Sequence, residues 1–274
     1  MTSIRPRHVN HMNVVLPDMA AGIAHLEDVY GAEYFADLPQ PAFGAALIQM
    51  AHAIFEYFVP NDYLLCARQG PHFLGLEYEA DMDEVRAAVA ERGIGIVRDI
   101  GAALHTDPAH CFGVAYEFYG SYFYDLEWPM IGGKIRPRDY WRDEHPLGLT
   151  GLLGYTHAVA DIDAASAFLQ SFLGAELVYE ARRPAIAARA IGLRIAGSLV
   201  ELVTPEGGGA LLQHMLRHGE GIRSVIMGVR DTAQARVYLT GRGLPLAAGT
   251  ADRSFASAPE ANLGLIFEFA EDMA

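Results

Sequence analysis

Four segments of the chain share one pattern of hydrophobic and polar positions: an apolar stretch, then an aspartate, then a stretch typical of a helix. The four aspartates are Asp18, Asp81, Asp161 and Asp231. Aspartate is a favoured N-cap because its carboxylate accepts hydrogen bonds from the free amides of the first helical turn. A glycine at the far end suits a left-handed C-cap. The pattern predicts helices over 18–30, 81–92, 161–173 and 231–242.

The segments around these helices have the character of strands. Before each capping aspartate lies an extended segment with partial alternation, as at Val14 and Leu16. After the first and third helices come apolar runs broken by turns, over 45–51, 53–59, 187–196 and 198–203. The unit is therefore a strand, a helix and several further strands, repeated four times, which predicts a fold of the α+β class.

The second half of the chain repeats the first. Asp161 follows Asp18 by 143 positions, and Gly31-Ala32-Glu33 recurs at the same offset as Gly174-Ala175-Glu176. Further pairs follow in unbroken order: Glu56 with Glu201 at 145, Asp81 with Asp231 at 150, and Glu127 with Glu268 at 141. Such slowly drifting offsets indicate a duplicated domain with small loop changes. We place the boundary near 147, which gives domains 1–147 and 148–274.

Composition narrows the classes of partner. Hydrophobic residues make up 51% of the 274 positions, which is enough for a substantial core. The formal net charge of −14 would repel a nucleic-acid backbone and an anionic lipid surface, so we expect neither partner. The two cysteines do not form a disulfide framework, and neither a secretory signal nor a membrane-spanning segment is recognisable. We expect a cytoplasmic protein that binds a small molecule.

The four units resemble the vicinal oxygen chelate superfamily. The resemblance lies in the repeat, in His11 seven residues before Asp18, in "ELVTPEGGGALLQHMLRHGEGI" over 201–222, and in "GLIFEF" near the end. This superfamily includes glyoxalases, methylmalonyl-CoA epimerases, extradiol dioxygenases, and bleomycin and fosfomycin resistance proteins. The resemblance implies four βαβββ-type modules paired into two cupped half-barrel domains. It also implies a cavity in which a divalent metal chelates two neighbouring substrate oxygens.

The resemblance implies a metal site in the first half. The matching positions are His11, Glu56 four residues before a proline, and Glu127 in "DLEW". The remaining position falls on Leu74, which departs from the pattern. His72 shares the strand face of Leu74 and would reach the site through a bulge. Water is the alternative ligand. One imidazole and two carboxylates suit Fe, Mn, Co, Ni or Zn. Glu56 and Glu127 are also the candidate catalytic bases.

We expect the second half to be free of metal. The counterparts of His11 and Leu74 there are Gly154 and Ser224, so both ligand histidines of the pattern are absent. Glu201 and Glu268 remain, but two carboxylates without an imidazole are a poor transition-metal site. A histidine-containing segment of the first half, "HTDPAH" over 105–110, includes a proline and predicts a loop without a fixed face.

Three functional hypotheses follow. The first is a metal-dependent isomerase, epimerase or lyase that acts through a metal-stabilised enolate. Its substrate would be small, oxygen-bearing, and apolar or aromatic, because aromatic residues crowd positions 116–128. The second is an extradiol-type ring-cleaving dioxygenase, and the third is a metal-free small-molecule binding protein. Related folds often dimerise, so a homodimer is an open alternative to a monomer.

Overall fold

Four copies of one structural unit make up the chain, and each consists of a strand, a helix and three further strands. The computed structural model describes residues 2–40, 43–59, 68–125, 135–251 and 253–271. The first half contains β1 (His8–Val15), α1 (Met19–Tyr30), β2 (Glu33–Gln40), β3 (Phe43–Gln49), β4 (Ile54–Phe58), β5 (His72–Glu79), α2 (Met82–Arg92), β6 (Ile96–Asp99), β7 (Ala103–Thr106) and β8 (Ala115–Tyr119). The second half contains β9 (Leu149–Ala158), α3 (Ile162–Leu173), β10 (Glu176–Arg183), β11 (Ala188–Ile195), β12 (Ser198–Pro205), α4 (Ala210–His218), β13 (Gly221–Val229), α5 (Thr232–Gly241), β14 (Leu246–Ala248), β15 (Phe255–Ser257) and β16 (Phe267–Glu271).

Within every unit, the first strand pairs in parallel with the last. The helix returns the chain to the end of the sheet where the first strand began, so the second strand runs in the same direction as the first. The third strand reverses this direction and the fourth restores it. The parallel pairs are β1 with β4, β5 with β8, β9 with β12, and β13 with β16. Antiparallel pairing of β1 with β5 joins the first two units, and that of β9 with β13 joins the last two. The predicted α+β class with four repeated units is confirmed, and each half contributes eight strands to one open sixteen-stranded sheet, in which β13 pairs with β5.

The helices begin and end where the sequence predicts. The side chains of all four aspartates accept hydrogen bonds from backbone amides of the first turn, at Asp18, Asp81, Asp161 and Asp231. The first three of these helices end at Gly31, Gly93 and Gly174, whose φ angles of 61°, 63° and 63° are left-handed. The sequence pattern does not predict helix α4, since its N-cap is Gly209, which has no side chain to accept a hydrogen bond.

The two halves share one hydrophobic core. Helix α1 of the first half packs Tyr30 against Phe267 and Phe269 of β16, with ring centroids 5.3 and 6.1 Å apart. Helix α3 of the second half packs Phe172 against Phe118 of β8, at 6.1 Å. Each half therefore covers the sheet of the other with a helix. No helix in the described part of the chain is long and apolar enough to cross a membrane.

Candidate metal centre

One imidazole and three carboxylates meet on the first-half sheet. The Nε2 atom of His11 lies 3.2 Å from Oε2 of Glu56, 3.4 Å from Oε1 of Glu77 and 3.9 Å from Oε2 of Glu117. The four residues come from four adjacent strands, in the order β4, β1, β5 and β8. Strand register brings them together: Glu77 is paired with His11 across β1 and β5, and Glu117 is paired with Glu77 across β5 and β8.

The cluster is buried. His11 is 1% exposed, Glu77 2%, and Glu56 and Glu117 6% each. Neither ring nitrogen of His11 has a hydrogen bond among the described residues, although the ring of Phe123 lies 4.6 Å away. A buried polar atom without a hydrogen bond is costly, and carboxyl groups surround this one, so the imidazole is suited to binding a cation together with them.

Polar side chains around the cluster hold two of the carboxylates in place. Asn10 donates to Oε1 of Glu77 at 2.8 Å, and Asn13 donates to Oε2 of Glu117 at 2.8 Å. The Nε2 atom of His105 lies 3.1 Å from the same Glu117 oxygen. His105 lies on β7 and is 1% exposed, so the prediction of a loop without a fixed face is wrong for this residue. In known metal sites, hydrogen bonds of this kind orient the ligands.

The three carboxyl groups differ in protonation. Burial raises the pKa of Glu56 to about 8, against the opposing influence of His11. Burial, and then the charge of Glu117, raise the pKa of Glu77 well above its usual range. Burial also opposes ionisation of Glu117, but the adjacent His105, together with His11 and Asn13, lowers its pKa to about 2. Three carboxylates cannot all be ionised here without a cation among them.

The geometry suits a divalent cation. One ligand atom from each of His11, Glu77 and Glu117 lies within 4.8 Å of the other two. Imidazole nitrogen with carboxylate oxygens is a donor set for borderline and hard divalent ions such as Zn, Fe, Mn, Co and Ni. The residues present therefore fit the group that the resemblance implies.

The structure brings together two of the four residues predicted for the site. His11 and Glu56 are in contact. Glu127 lies outside the described residues. His72 is paired with Val15, four residues beyond His11 on β1, and its Nδ1 is 2.9 Å from the carbonyl oxygen of Gly70. The His72 ring is therefore not brought to His11.

Sequence reasoning missed Glu77 and Glu117. Counting seven residues back from Asp81 gives Leu74, but the structure pairs Glu77 with His11 instead. A signal for Glu117 was present in the sequence: "YEF" over 116–118 matches "FEF" over 267–269 at an offset of 151, close to the 150 that separates Asp81 from Asp231. The two glutamates also have similar places in their ladders, since Glu268 is paired with Ile226 on β13 and Glu117 with Glu77 on β5.

In the second half, the two retained carboxylates have arginine partners. Arg183 donates through Nε to Oε1 of Glu201 at 2.7 Å, and Tyr179 donates to the same oxygen at 2.8 Å. Arg223 lies 3.2 Å from Oε1 of Glu268. Each carboxylate thus has a cationic partner within the protein.

A cavity of about 250 Å³ adjoins His11. One wall is a series of stacked rings: His8 on Tyr122 with centroids 4.3 Å apart, Tyr122 near Tyr124 at 5.2 Å, and Tyr124 on His52 at 4.3 Å. The turn 196–198 of the second half and Arg138 also line the space. Burial, and then the charge of Arg138, lower the pKa of His52 to about 4.

Comparison with known proteins identifies the fold. No family profile matches the chain, and no curated protein sequence matches it significantly. Among solved structures, a mutant of 4-hydroxymandelate synthase from Streptomyces coelicolor has a TM-score of 0.75 over 96% of this chain and 92% of that one, at 13% identity. Methylmalonyl-CoA epimerase from Mycobacterium tuberculosis matches 46% of this chain with 90% of its own, at 24% identity and a TM-score of 0.43. At 13% identity, the likeness to the 4-hydroxymandelate synthase structure establishes the fold alone.

Proposed function

We propose that this chain, which has the fold of the vicinal oxygen chelate superfamily, is a metal-dependent enzyme whose reaction takes place in the first-half sheet. The proposal rests on the convergence of the Glu77 and Glu117 carboxyl groups on the imidazole of His11. The nitrogens of that imidazole form no hydrogen bond among the described residues. These three residues would hold the ion. A divalent ion bound there would supply Lewis-acid polarisation of neighbouring substrate oxygens.

Glu56 is the group that we assign to proton transfer. It lies 3.2 Å from His11 but is not one of the three residues whose ligand atoms all lie within 4.8 Å of one another, so we assign it to proton exchange and not to the ligand set. It reaches the site from the β4 side, opposite Glu117. General acid–base catalysis of this kind typically contributes about 10²–10⁴-fold to a rate. This assignment favours isomerase, epimerase or lyase chemistry.

The cavity beside His11 indicates the kind of substrate. Its volume of about 250 Å³ accommodates only a small molecule. The stacked rings of His8, Tyr122 and Tyr124 offer a flat apolar surface, and the guanidinium of Arg138 suits a carboxylate or another anionic oxygen. The substrate class that we propose is therefore a small aromatic or apolar compound with oxygens on neighbouring carbons.

Metal binding tests the ligand assignment. The full chain would be stripped with chelator, dialysed against Mn²⁺, Co²⁺, Ni²⁺, Zn²⁺ or anaerobic Fe²⁺, and analysed for bound metal. We expect about one ion per chain, and loss of most of it in Glu77→Gln, Glu117→Gln and His11→Ala. Glu79→Gln is the matched control, because Glu79 lies on the same strand but bonds to Arg7 and His8 instead.

Two results would contradict the metal site. One is a wild-type chain that binds less than about half an equivalent of every ion, and the other is a His11→Ala chain that retains full occupancy.

The Glu56→Gln variant separates metal binding from proton transfer. We expect it to keep its metal and to lose proton exchange with solvent deuterium by about 10²-fold or more, measured by NMR on a panel of aromatic 2-oxo and 2-hydroxy acids.

A ring-cleaving dioxygenase is the second candidate, and His105 is the observation that favours it. Its Nε2 lies 3.1 Å from Glu117, so a second imidazole adjoins the cluster. Two histidines and one carboxylate form the open triad typical of ferrous oxygenases. Oxygen uptake with a catechol and Fe²⁺, abolished in His105→Ala, would support this candidate. If the chain consumes no oxygen but catalyses proton exchange, the dioxygenase candidate is excluded and the isomerase, epimerase or lyase candidate is supported.

A further inference from the structure

A second cavity, which we call the junction cavity, lies where the two halves meet. It has a volume of about 310 Å³ and opens beside the single residue pair, Phe73 with Ile222, that joins β5 to β13. Its polar lining consists of Arg68, His72, His214, His218 and Glu220. A smaller adjoining space of about 50 Å³ shares the first four of these and adds Arg223. None of these residues belongs to the candidate metal centre.

Arg68 is the central feature of the junction cavity. The side chain is partly buried, and its only polar contact among the described residues is a long one, from Nη1 to the carbonyl oxygen of His218 at 3.4 Å. Burial lowers its pKa from the usual value. No described carboxylate forms an ion pair with it. Desolvation of a guanidinium is unfavourable, and a bound anion would offset that cost.

The three histidines add hydrogen-bonding groups around Arg68. His214 and His218 lie one turn apart on α4, with ring centroids separated by 4.8 Å. His72 uses Nδ1 for the Gly70 carbonyl, which leaves Nε2 for a ligand in the cavity. Burial, followed by the charge of a nearby arginine, lowers the pKa of His72 to about 4 and that of His214 to about 3. Near pH 7 these rings are neutral: His214 has one N–H to donate, whereas His72 already donates its N–H to Gly70 and offers Nε2 only as an acceptor.

The acidic groups nearby are already engaged. Glu220 accepts from the backbone amide of Ala160 at 2.7 Å, and Glu268 is paired with Arg223 at 3.2 Å. Arg217 adds a further positive charge that acts on His214 and His218. Among these groups the three arginines, Arg68, Arg217 and Arg223, outnumber the two carboxylates, so the local charge is positive in a chain whose formal net charge is −14. An anion is favoured over a cation here, because cationic arginines surround the histidines.

We propose that the junction cavity is a binding site for a small organic anion, whose phosphate or carboxylate group is bound by Arg68 and the histidines of α4. The charged group would sit against Arg68, which presents several N–H donors in a planar fork. The volume exceeds that of a phosphate ion alone, and Phe73, Leu74 and Ile222 give the remainder of the ligand an apolar surface. Because the residues bridge both halves, the bound anion would stabilise their junction.

Ligand-dependent unfolding of the full, chelator-stripped chain tests the proposal. Inorganic phosphate and malonate serve as the two probes, with ionic strength held constant by NaCl, and thermal unfolding and calorimetric titration serve as readouts. We expect saturable binding of at least one probe, weakened about tenfold or more by Arg68→Gln. Arg182→Gln is the control, since Arg182 is an exposed arginine paired with Glu206 and should leave binding unchanged.

The two probes separate the ligand's sources: preference for phosphate indicates a phosphate ester, and preference for malonate a carboxylate. His214→Gln supplies the same comparison if Arg68→Gln does not fold, as judged by circular dichroism. Binding that persists in His11→Ala distinguishes this site from the metal centre. Three results would overturn the proposal. The first is that neither probe shows saturable binding, and the second is that Arg68→Gln binds the probe with wild-type affinity. The third is that the site binds Zn²⁺ and that His214→Gln abolishes this binding.

Discussion

Glu56 and Glu117 lie on either side of His11, yet they differ in protonation because their neighbours differ. Glu117 has His105 at 3.1 Å and the amide of Asn13 at 2.8 Å, which together favour its charged form. For Glu56, burial dominates, and the charges of Glu117 and Glu77 add to its effect. One carboxyl group is therefore ionised and the other protonated in the same cluster, which is the arrangement that acid–base chemistry requires.

This difference predicts how stability depends on pH without metal. The pKa of Glu56 is about 8 in the folded chain, against an ordinary value of 4.5. Between these values the folded state retains a proton that the unfolded state releases, so the free energy of unfolding falls as pH rises from about 5 to about 8. Glu77 acts in the same direction. Glu117 contributes stability above its usual pKa that is lost only as pH falls towards about 2.

Thermal unfolding in chelator at about pH 5.5 and about pH 8 measures this effect. We expect the wild-type Tm to be on the order of 5 °C lower at the higher pH. Glu56→Gln should reduce that difference, and a bound divalent ion should reverse it, because the ion favours the charged carboxylates. Glu84→Gln, an exposed position on α2, is the control and should keep the wild-type pH dependence. A Tm that rises between these pH values would contradict the assignment.

At the scale of single residues, the sequence predicted His11 and Glu56, which lie in contact, but not Glu77 and Glu117, which lie beside them. Counting from a distant aspartate cannot succeed where the strand ladder is irregular, and β1 pairs with β5 through a register shift between Val9 and His11. Nor does alternation along β5 decide the matter, since Glu77 and Glu79 both lie between apolar or aromatic residues. Only the pairing of the two strands shows that Glu77 is the one beside His11.

At the scale of the elements, the helices were the most predictable part of the chain. Their signals are local: an aspartate accepts from the first-turn amides, and a glycine takes the left-handed conformation at the other end of the helix. Helix α4 lacks the first signal, because it starts after Gly209 without a side-chain cap. Strand partners depend on contacts between distant segments, which a local pattern does not encode.

The spacing of strands β9 and β12 explains why the second half has no histidine at the position of His11. A Cβ atom at Gly154 would lie 1.8 Å from the carbonyl oxygen of Leu199, so the backbones approach too closely for any side chain. We predict that Gly154→Ala lowers the free energy of unfolding by about 1–3 kcal/mol, and that Gly154→His does not create a second metal site.

Denaturant unfolding and metal analysis check this prediction. Gly241→Ala is the matched control, because nothing lies within 4 Å of a Cβ atom there and the substitution removes a flexible residue from the end of α5. We expect the control to be neutral or slightly stabilising. A Gly154→His chain that folds with wild-type stability and binds a second equivalent of metal would show that β9 can move away from β12.

At the scale of the whole molecule, the halves are connected far more by their side-chain packing than by their strands. The sheets meet at one residue pair, Phe73 with Ile222. By contrast, Phe267 of β16 packs against Tyr30, Phe55 and Phe73 of the first half, with ring centroids 5.3 to 5.6 Å apart. The domain boundary near 147 remains a prediction from the sequence, and the packing indicates that neither half has a complete core of its own.

This packing predicts that the chain unfolds as one unit. Removing the second half would expose Tyr30 and the aromatic face of β8, and removing the first would expose Phe172 and Phe267. We expect a single calorimetric transition for the full chain, and no cooperative transition for residues 1–147 alone. Mixing separately produced 1–147 and 148–274 should restore both the transition and metal binding, because each supplies the helix that covers the other's sheet. Cooperative unfolding of 1–147 by itself, with metal bound, would instead show that the first half is an independent domain and that the second serves only to close the cavity.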